Sequence, residues 1–306
     1  MLRQAENSVK IEGILSEIKL EYGSYIKNGK TIENIGGSIT IRVNQVINGE
    51  EVVNEVPVHM FANKYKNNGE PNPAYASIEK VKTTYVSLAA AAETGVEADR
   101  IRITNGEIRM NEYYPTPEKL VSFPRISASF VNRVKKEDCK PEASFLLTFV
   151  VGQSEFEIVN DEMTGRFLVQ AIVPQYGERI DVIPLVCASP NVVKAVSSYW
   201  SEGDTVKASG RLNFTSKTET IIVEQDFGDP IEKTRTTNVS ELLITGGNQT
   251  PLDGDFAYDS DEIRKGLAER KARLEAQKEK DASRAKTRQA PAPATETSKA
   301  AFDLGF

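Results

Sequence analysis

The segments EADRIRITNGEI (97–108) and EGDTVKASGRL (202–212) match in order more than in letters. Each opens on Glu-x-Asp, continues as an alternating strand and follows a helical stretch. SIEKVKTTYVSLAAAAETG (77–95) has an Ala run closed by Gly95, the residue that most easily takes the left-handed conformation at a helix end. SPNVVKAVSSYWSEG (189–203) opens on Ser189-Pro190, an N-cap and first-turn pair. Alternating strands precede both helices. In SITIRVN (38–44), Ile39, Ile41 and Val43 alternate with Thr40, Arg42 and Asn44, and PVHMFANK (57–64) keeps the same period. GRFLVQAIVPQYG (165–177) and RIDVIPLVCA (179–188) take that place in the second half, and TETIIVEQDF (218–227) follows the second segment. Within the first segment, Asn105-Gly106 separates two alternating runs, which predicts a two-residue type I′ hairpin.

Three strands, one helix and two more strands, twice over, is the element order of an OB-fold, a small five-stranded Greek-key barrel. The predicted fold class is mainly β: tandem OB-fold-like barrels with inserted helices, then a helical and disordered tail. The units fall at 1–140, 141–235 and 236–306, with longer insertions in the first barrel.

The net charge is −6, and acidic residues outnumber basic ones both before Glu241 and from it onward. A nucleic-acid role then requires positive charge gathered on one face. No run reaches the ~18 apolar residues of a membrane span. MLRQAENSVKIEG (1–13) has no apolar signal-peptide core, so a cytoplasmic chain is expected, in the host cytoplasm if the protein is viral. Cys139 and Cys187 lack metal-ligand spacing and predict reduced thiols. His59 is the only histidine, and the G-x-S-x-G, P-loop and G-x-G-x-x-G patterns are missing. No catalytic residue, metal or cofactor is expected.

A binding face is better supported. Strands of a barrel alternate between core and outside. The outward sets of the first unit are Thr40, Arg42 and Asn44; His59, Phe61 and Asn63; and Glu107, Arg109, Asn111 and Tyr113. Phe61 is a large aromatic with no reason to face water unless it covers something. Lys64, Tyr65 and Lys66 follow it, and EYGSYIKNGK (21–30) places Tyr22, Tyr25, Lys27 and Lys30 in a loop after the first strand. FPRISASFVNRVKK (123–136) adds Phe123, Arg125 and Arg133 in a basic connector, and Arg211 is an outward cation of the second unit. Aromatic faces stack on exposed bases while Lys and Arg neutralise phosphates, so this mixture points to single-stranded nucleic acid. RNA stays open, because nothing here reads a 2′-hydroxyl. The other open class is a protein-interaction adaptor. The two are separated by whether Phe61, Tyr65 and Lys64 share an exposed face with Arg42 and Arg109.

DSDEIRKGLAERKARLEAQKEKDASRA (259–285) predicts a charged helix whose sparse apolar residues, Ile263, Leu267 and Leu274, favour a solvated one. APAPATETSKAA (290–301) is a spacer that cannot form a core. VKIEGILSEI (9–18), RISASFVNRV (125–134), GRFLVQAIVPQYG (165–177) and YWSEGDTVKASGRL (199–212) together resemble phage-encoded single-stranded DNA-binding proteins. That resemblance implies an OB-fold and a role in replication or recombination of viral DNA. The end, SKAAFDLGF (298–306), is similar to the tail tip of bacterial single-stranded DNA-binding proteins, which recruits replication and repair enzymes. Phe302, Asp303 and Phe306 with its carboxylate carry this likeness, although Gly305 stands where that tip has proline.

Overall fold

The computed structural model describes residues 2–47, 49–223 and 231–289. β1 (Asn7–Lys27), β2 (Lys30–Ile47) and β3 (Glu50–Asn63) form a meander, and two helices, α1 (Pro73–Thr84) and α2 (Leu88–Thr94), lead to β4 (Arg100–Thr116) and β5 (Lys119–Ser127). β1 pairs with β2 and β4, β5 pairs with β4, and β5 closes on β3 in parallel through Val58–Ile126 and His59–Ser127. The short β6 (Asn132–Val134) adds to β4. A second ring repeats this order with β7 (Glu142–Val159), β8 (Glu162–Gln175), β9 (Arg179–Cys187), α3 (Pro190–Tyr199), β10 (Thr205–Val223) and β11 (Ile231–Gly247). There β10 pairs with β7, and β11 meets β9 in parallel at Leu243–Val186. Both rings have OB-fold topology, with their helices between the third and fourth strands.

Alternation in the sequence is alternation in burial. Ile39, Ile41 and Val43 of β2 and Val56, Val58 and Met60 of β3 are fully buried, while the residues between them face out. The last strand of the second ring runs to Gly247, past residue 235, where the sequence places the end of that unit. Its outer half, TRTTNVS (234–240), has no apolar period and therefore resembles tail; among the strand's described side chains, Leu242, Leu243 and Ile244 enter the core.

Local chemistry sets the helix ends. The single predicted helix is two, because Val86 N–H donates to Asp99 Oδ2 (2.8 Å) and Ser87 caps a new start at Ala90 N (3.2 Å). Gly95 closes the second with φ 72°. Ser189 makes no side-chain cap bond, so Pro190 alone marks the start of α3. α4 (Ser260–Gln289) is not free in solvent over its whole length: Ile263 is buried against Ile180 and Val150, and Arg270 pairs with Glu112 of β4.

The segments 97–108 and 202–212 flank the join between the rings. Asn7–Glu12 of β1 pairs antiparallel with Glu142–Leu147 of β7. Val9 stands opposite Phe145, and each also stands opposite a glycine: Val9 faces Gly106 of β4, and Phe145 faces Gly210 of β10. Asn105-Gly106 is thus no hairpin. Neither residue has positive φ, and β4 runs straight through them, passing from β1 to β5. The register shift between Val9 and Ile11 accommodates one extra β4 residue, the same residue by which Asp99–Gly106 exceeds Asp204–Gly210. The type I′ turn lies at Asn28-Gly29 instead (φ 51° and 73°), so Tyr22, Tyr25 and Lys27 are on a long β1–β2 hairpin and not in a loop.

A Cβ at Gly210 would lie 2.3 Å from the Leu243 carbonyl oxygen and 2.2 Å from Phe145 Cζ. Gly210→Ala is therefore expected to cost about 1–3 kcal/mol through overpacking against backbone. Gly246→Ala meets only Ser209 Oγ at 3.3 Å and should cost less. Chemical denaturation of the two variants checks the order, and equal stability would count against a tight join.

Candidate nucleic-acid interface

The outer face of the first barrel is set by cross-strand register. Ser38 stands opposite His59, Gly36 opposite Phe61, and Asn34 opposite Asn63, and the same face continues onto β5 through Ser127 and Arg125. His59, Phe61 and Asn63 follow one another along β3 over about 13 Å. Phe61 is 49% exposed. Its ring lies on Gly36, where a Cβ would come within 2.9 Å of Phe61 Cδ2, so the bare backbone lets the ring lie against the sheet and show its other side to solvent.

A cleft lies at each end of this row. At one end, a space of about 420 Å³ is lined by Tyr25, Lys27, Tyr65 and Lys66, with Asn63 and Asn67 between them. Tyr25 Oη donates to Asn63 Oδ1 (3.3 Å), which fixes that ring beside Phe61's strand. At the other end, about 440 Å³ lies between the first barrel and the β10–β11 ribbon, with Ser38, His59, Phe123 and Arg125 on the barrel side. Arg125 has no hydrogen bond or ion pair among the described residues, and its Nε is buried. Burial, and then the Arg109 charge, lower its pKa from the usual arginine value. Burial, and then Arg125, hold His59 below the ordinary histidine value, so it is neutral near pH 7. Glu55 is the one carboxylate lining this cleft among the described residues, and Arg42 holds it at 2.5 Å. The chain is acidic, yet this cleft presents a free guanidinium.

The structure brings together Tyr25, Lys27, Phe61, Tyr65 and Lys66, the last paired with Glu70 (3.2 Å), and it brings His59 to Arg125. It separates the others from this row or engages their charge. Tyr22 is three residues from Tyr25 and so on the opposite face of the hairpin, where it hydrogen-bonds Glu79 of α1 (3.2 Å) under Lys82. Lys64 pairs with Glu33 (2.6 Å), and Arg42 pairs with Glu55, which lines the cleft. Arg109 lies opposite Arg125 but is held by Asp181 of β9 (3.3 Å), whose carboxyl is raised by burial despite that partner. Arg133 lies over the Tyr85 ring (4.3 Å) and bonds Asp99 (2.8 Å), so it ties β6 to the helix region. Tyr113 is exposed further out on the β4–β5 hairpin, and Arg211 is half-buried in the second barrel. Thus Phe61 and Tyr65 share a face with Tyr25, while Lys64, Arg42 and Arg109 are neutralised. Phe302, Asp303 and Phe306 lie outside the described residues.

Sequence reasoning missed Ser38, Gly36 and the ribbon residues Phe214, Ser216, Asn238 and Ser240, which line the inter-barrel cleft or underlie Phe61. Gly36-Gly37 inside an alternating strand was an available signal of close approach. The ribbon residues gave none, because their role depends on the second barrel's position.

No described helix is long and apolar enough to cross a membrane. Comparison with curated proteins gives no match. Among solved structures, the chain is similar to the wild-type single-stranded DNA binding protein from Thermus aquaticus, with 11% identity, 82% of this chain and 96% of that chain covered, and a TM-score of 0.49. A deletion mutant of that protein gives 12% identity, 82% and 97% coverage and a TM-score of 0.47. The family model named YorF matches residues 5–280, nearly the whole described chain, and the chain therefore belongs to the YorF family.

Proposed function

We propose that this chain binds single-stranded DNA without sequence preference and serves the replication or recombination of DNA, phage DNA in the first instance. One observation carries the reading: Phe61, laid on Gly36, joins a Tyr25–Tyr65 cleft rimmed by Lys27 and Lys66 to a cleft holding His59 and the free Arg125. Exposed rings take bases of any identity, and cations at both ends take phosphates. The binding is non-catalytic, and the strand uses a face whose carboxylates are already engaged.

Trp200, the only tryptophan, is buried in the second barrel against Phe149, so labelled oligonucleotide and not intrinsic fluorescence is the right readout. Anisotropy of labelled oligo-dT at two salt levels should show tight binding at low salt that weakens as salt rises, with duplex DNA a poor competitor. RNA of equal length tests the choice of DNA. Phe61→Ala should weaken binding by about 1–3 kcal/mol, or roughly 5- to 150-fold. Lack of salt-sensitive binding to oligo-dT would falsify the reading.

His59 supplies a pH test. Bound phosphate favours its charged form, which the free protein disfavours, so binding should take up a proton. Affinity for oligo-dT should rise as pH falls from about 7.5 toward 6, and His59→Gln should flatten that part of the profile. The single histidine resonance, followed by NMR with and without DNA, should shift its midpoint upward on binding; an unmoved midpoint places His59 away from phosphate.

The tail tip remains part of the same proposal. Phe302, Asp303 and Phe306 would dock a replication or recombination protein whose pocket accepts a ring beside a carboxylate. Deleting residues 302–306 should leave oligo-dT affinity unchanged and abolish co-purification of that partner. Weaker DNA binding after the deletion would refute this role.

A further inference from the structure

The inter-barrel cleft has two walls, and only one belongs to the first barrel. The other is the β10–β11 ribbon, on which Phe214 stands opposite Ser240 and Ser216 opposite Asn238, all four on one side. The ribbon is fixed in place. Phe214 is 9% exposed and part of the common core, and its N–H donates to Oδ1 of Asn54, a β3 side chain only 1% exposed (3.0 Å). A buried amide in an otherwise apolar core-facing row is retained at a cost unless its bond is used. Here that bond sets the distance between the ribbon and the first barrel's face.

We infer that the second barrel contributes this ribbon as the far wall of the first barrel's nucleic-acid site, so that one strand passes between the two barrels. The inference rests on reading the face as a single-strand site. The chemistry of the walls is complementary. Arg125 and His59 supply charge from one side. From the other side, Ser216 Oγ donates to Asn238 Oδ1 (2.8 Å), and the Asn238 amide N–H groups and the Ser240 hydroxyl are neutral donors for phosphate oxygens or base edges. The ribbon carboxylate nearest this region, Glu241, is occupied by Arg166 and Asn213. A strand entering here would meet no free carboxylate on either wall among the described lining residues.

The test uses the full chain and labelled oligo-dT. Ser216→Glu combined with Ser240→Glu places charge on two exposed ribbon positions and should lower affinity at least tenfold, while Ser198→Glu on exposed α3 of the same barrel should leave it unchanged. Thermal melting shows whether the variants are folded. Independently of any variant, 4-thiothymidine oligonucleotide irradiated on the unaltered chain should cross-link to peptides covering 209–216 or 236–241. If Phe61→Ala weakens binding but the glutamates do not, and cross-links fall only on the first barrel, the ribbon is no part of the site and the inference is overturned. If the unaltered chain fails to bind oligo-dT, the underlying reading falls, and the inference with it.

Discussion

Everything in this molecule depends on one short run of backbone, Asn7–Glu12, that is shared between strands on both sides. It pairs with β7 of the second ring on one side and with β4 of its own ring on the other. Space is tight where these strands converge: a Cβ at Gly106 would meet Val9 Cβ at 3.1 Å, and one at Gly210 would strike Phe145 and the Leu243 carbonyl. Asn7 adds a side-chain copy of the strand ladder, donating to the Ile108 carbonyl (2.7 Å) and accepting from Ile108 N–H (2.9 Å) where β4 changes partner. Glu12 ends the run. It is nearly buried, bonded by Arg102 at 2.5 and 3.1 Å and by Lys140 N–H, and the Arg102 bond holds its pKa below the usual carboxylate value. Its contribution to stability is present above the unfolded carboxylate pKa and is lost as pH falls through the lowered one. Because the rings share a join and a continuous core, the inter-barrel cleft has walls of fixed separation.

Charge on the candidate face follows from register more than from composition. Cross-strand neighbours neutralise Arg42 and Lys64, and a carboxylate of the second ring engages Arg109. In the inter-barrel cleft what remains is Arg125, already destabilised by burial and by Arg109, beside a neutral His59. A guanidinium in that state gains more from an arriving phosphate than a solvated lysine does, because its desolvation has been met in folding. An overall charge of −6 is compatible with such a site, since the acids around it are spent on fixed partners.

The sequence made the barrels legible because alternation and element order are local properties. The Asn-Gly dipeptides show the limit. Asn28-Gly29 and Asn105-Gly106 are the same letters between alternating runs, yet only the first is a turn. The difference is that β4 runs on through Asn105-Gly106, from its pairing with β1 to its pairing with β5. Tyr22 and Tyr25 were readable as opposite-facing once EYGSYIK counts as strand, since three positions reverse the side. The ion pairs that silence Lys64 and Arg109 were not readable, because they require pairing registers. Nor was the polar half of β11, which is a strand by virtue of pairing with β10 along its length.

The two rings share a topology and have diverged in what their faces can do. On β2 and β3 the outward row carries Ser38, His59 and Phe61, with a glycine beneath the ring. On the corresponding β8 and β9, Leu168 stands opposite the buried Val186, Gln170 opposite Pro184, and Arg166 is tied to Glu241 of β11. At these paired positions no aromatic ring faces outward, and the arginine is engaged. The second ring instead extends β10 and β11 beyond its own barrel and anchors them on Asn54 of the first. Duplication of a barrel supplies two equal faces. Here one face keeps aromatic and cationic groups, and the other barrel's length is directed toward it; under the proposed single-strand site, that asymmetry between the copies belongs to one composite site.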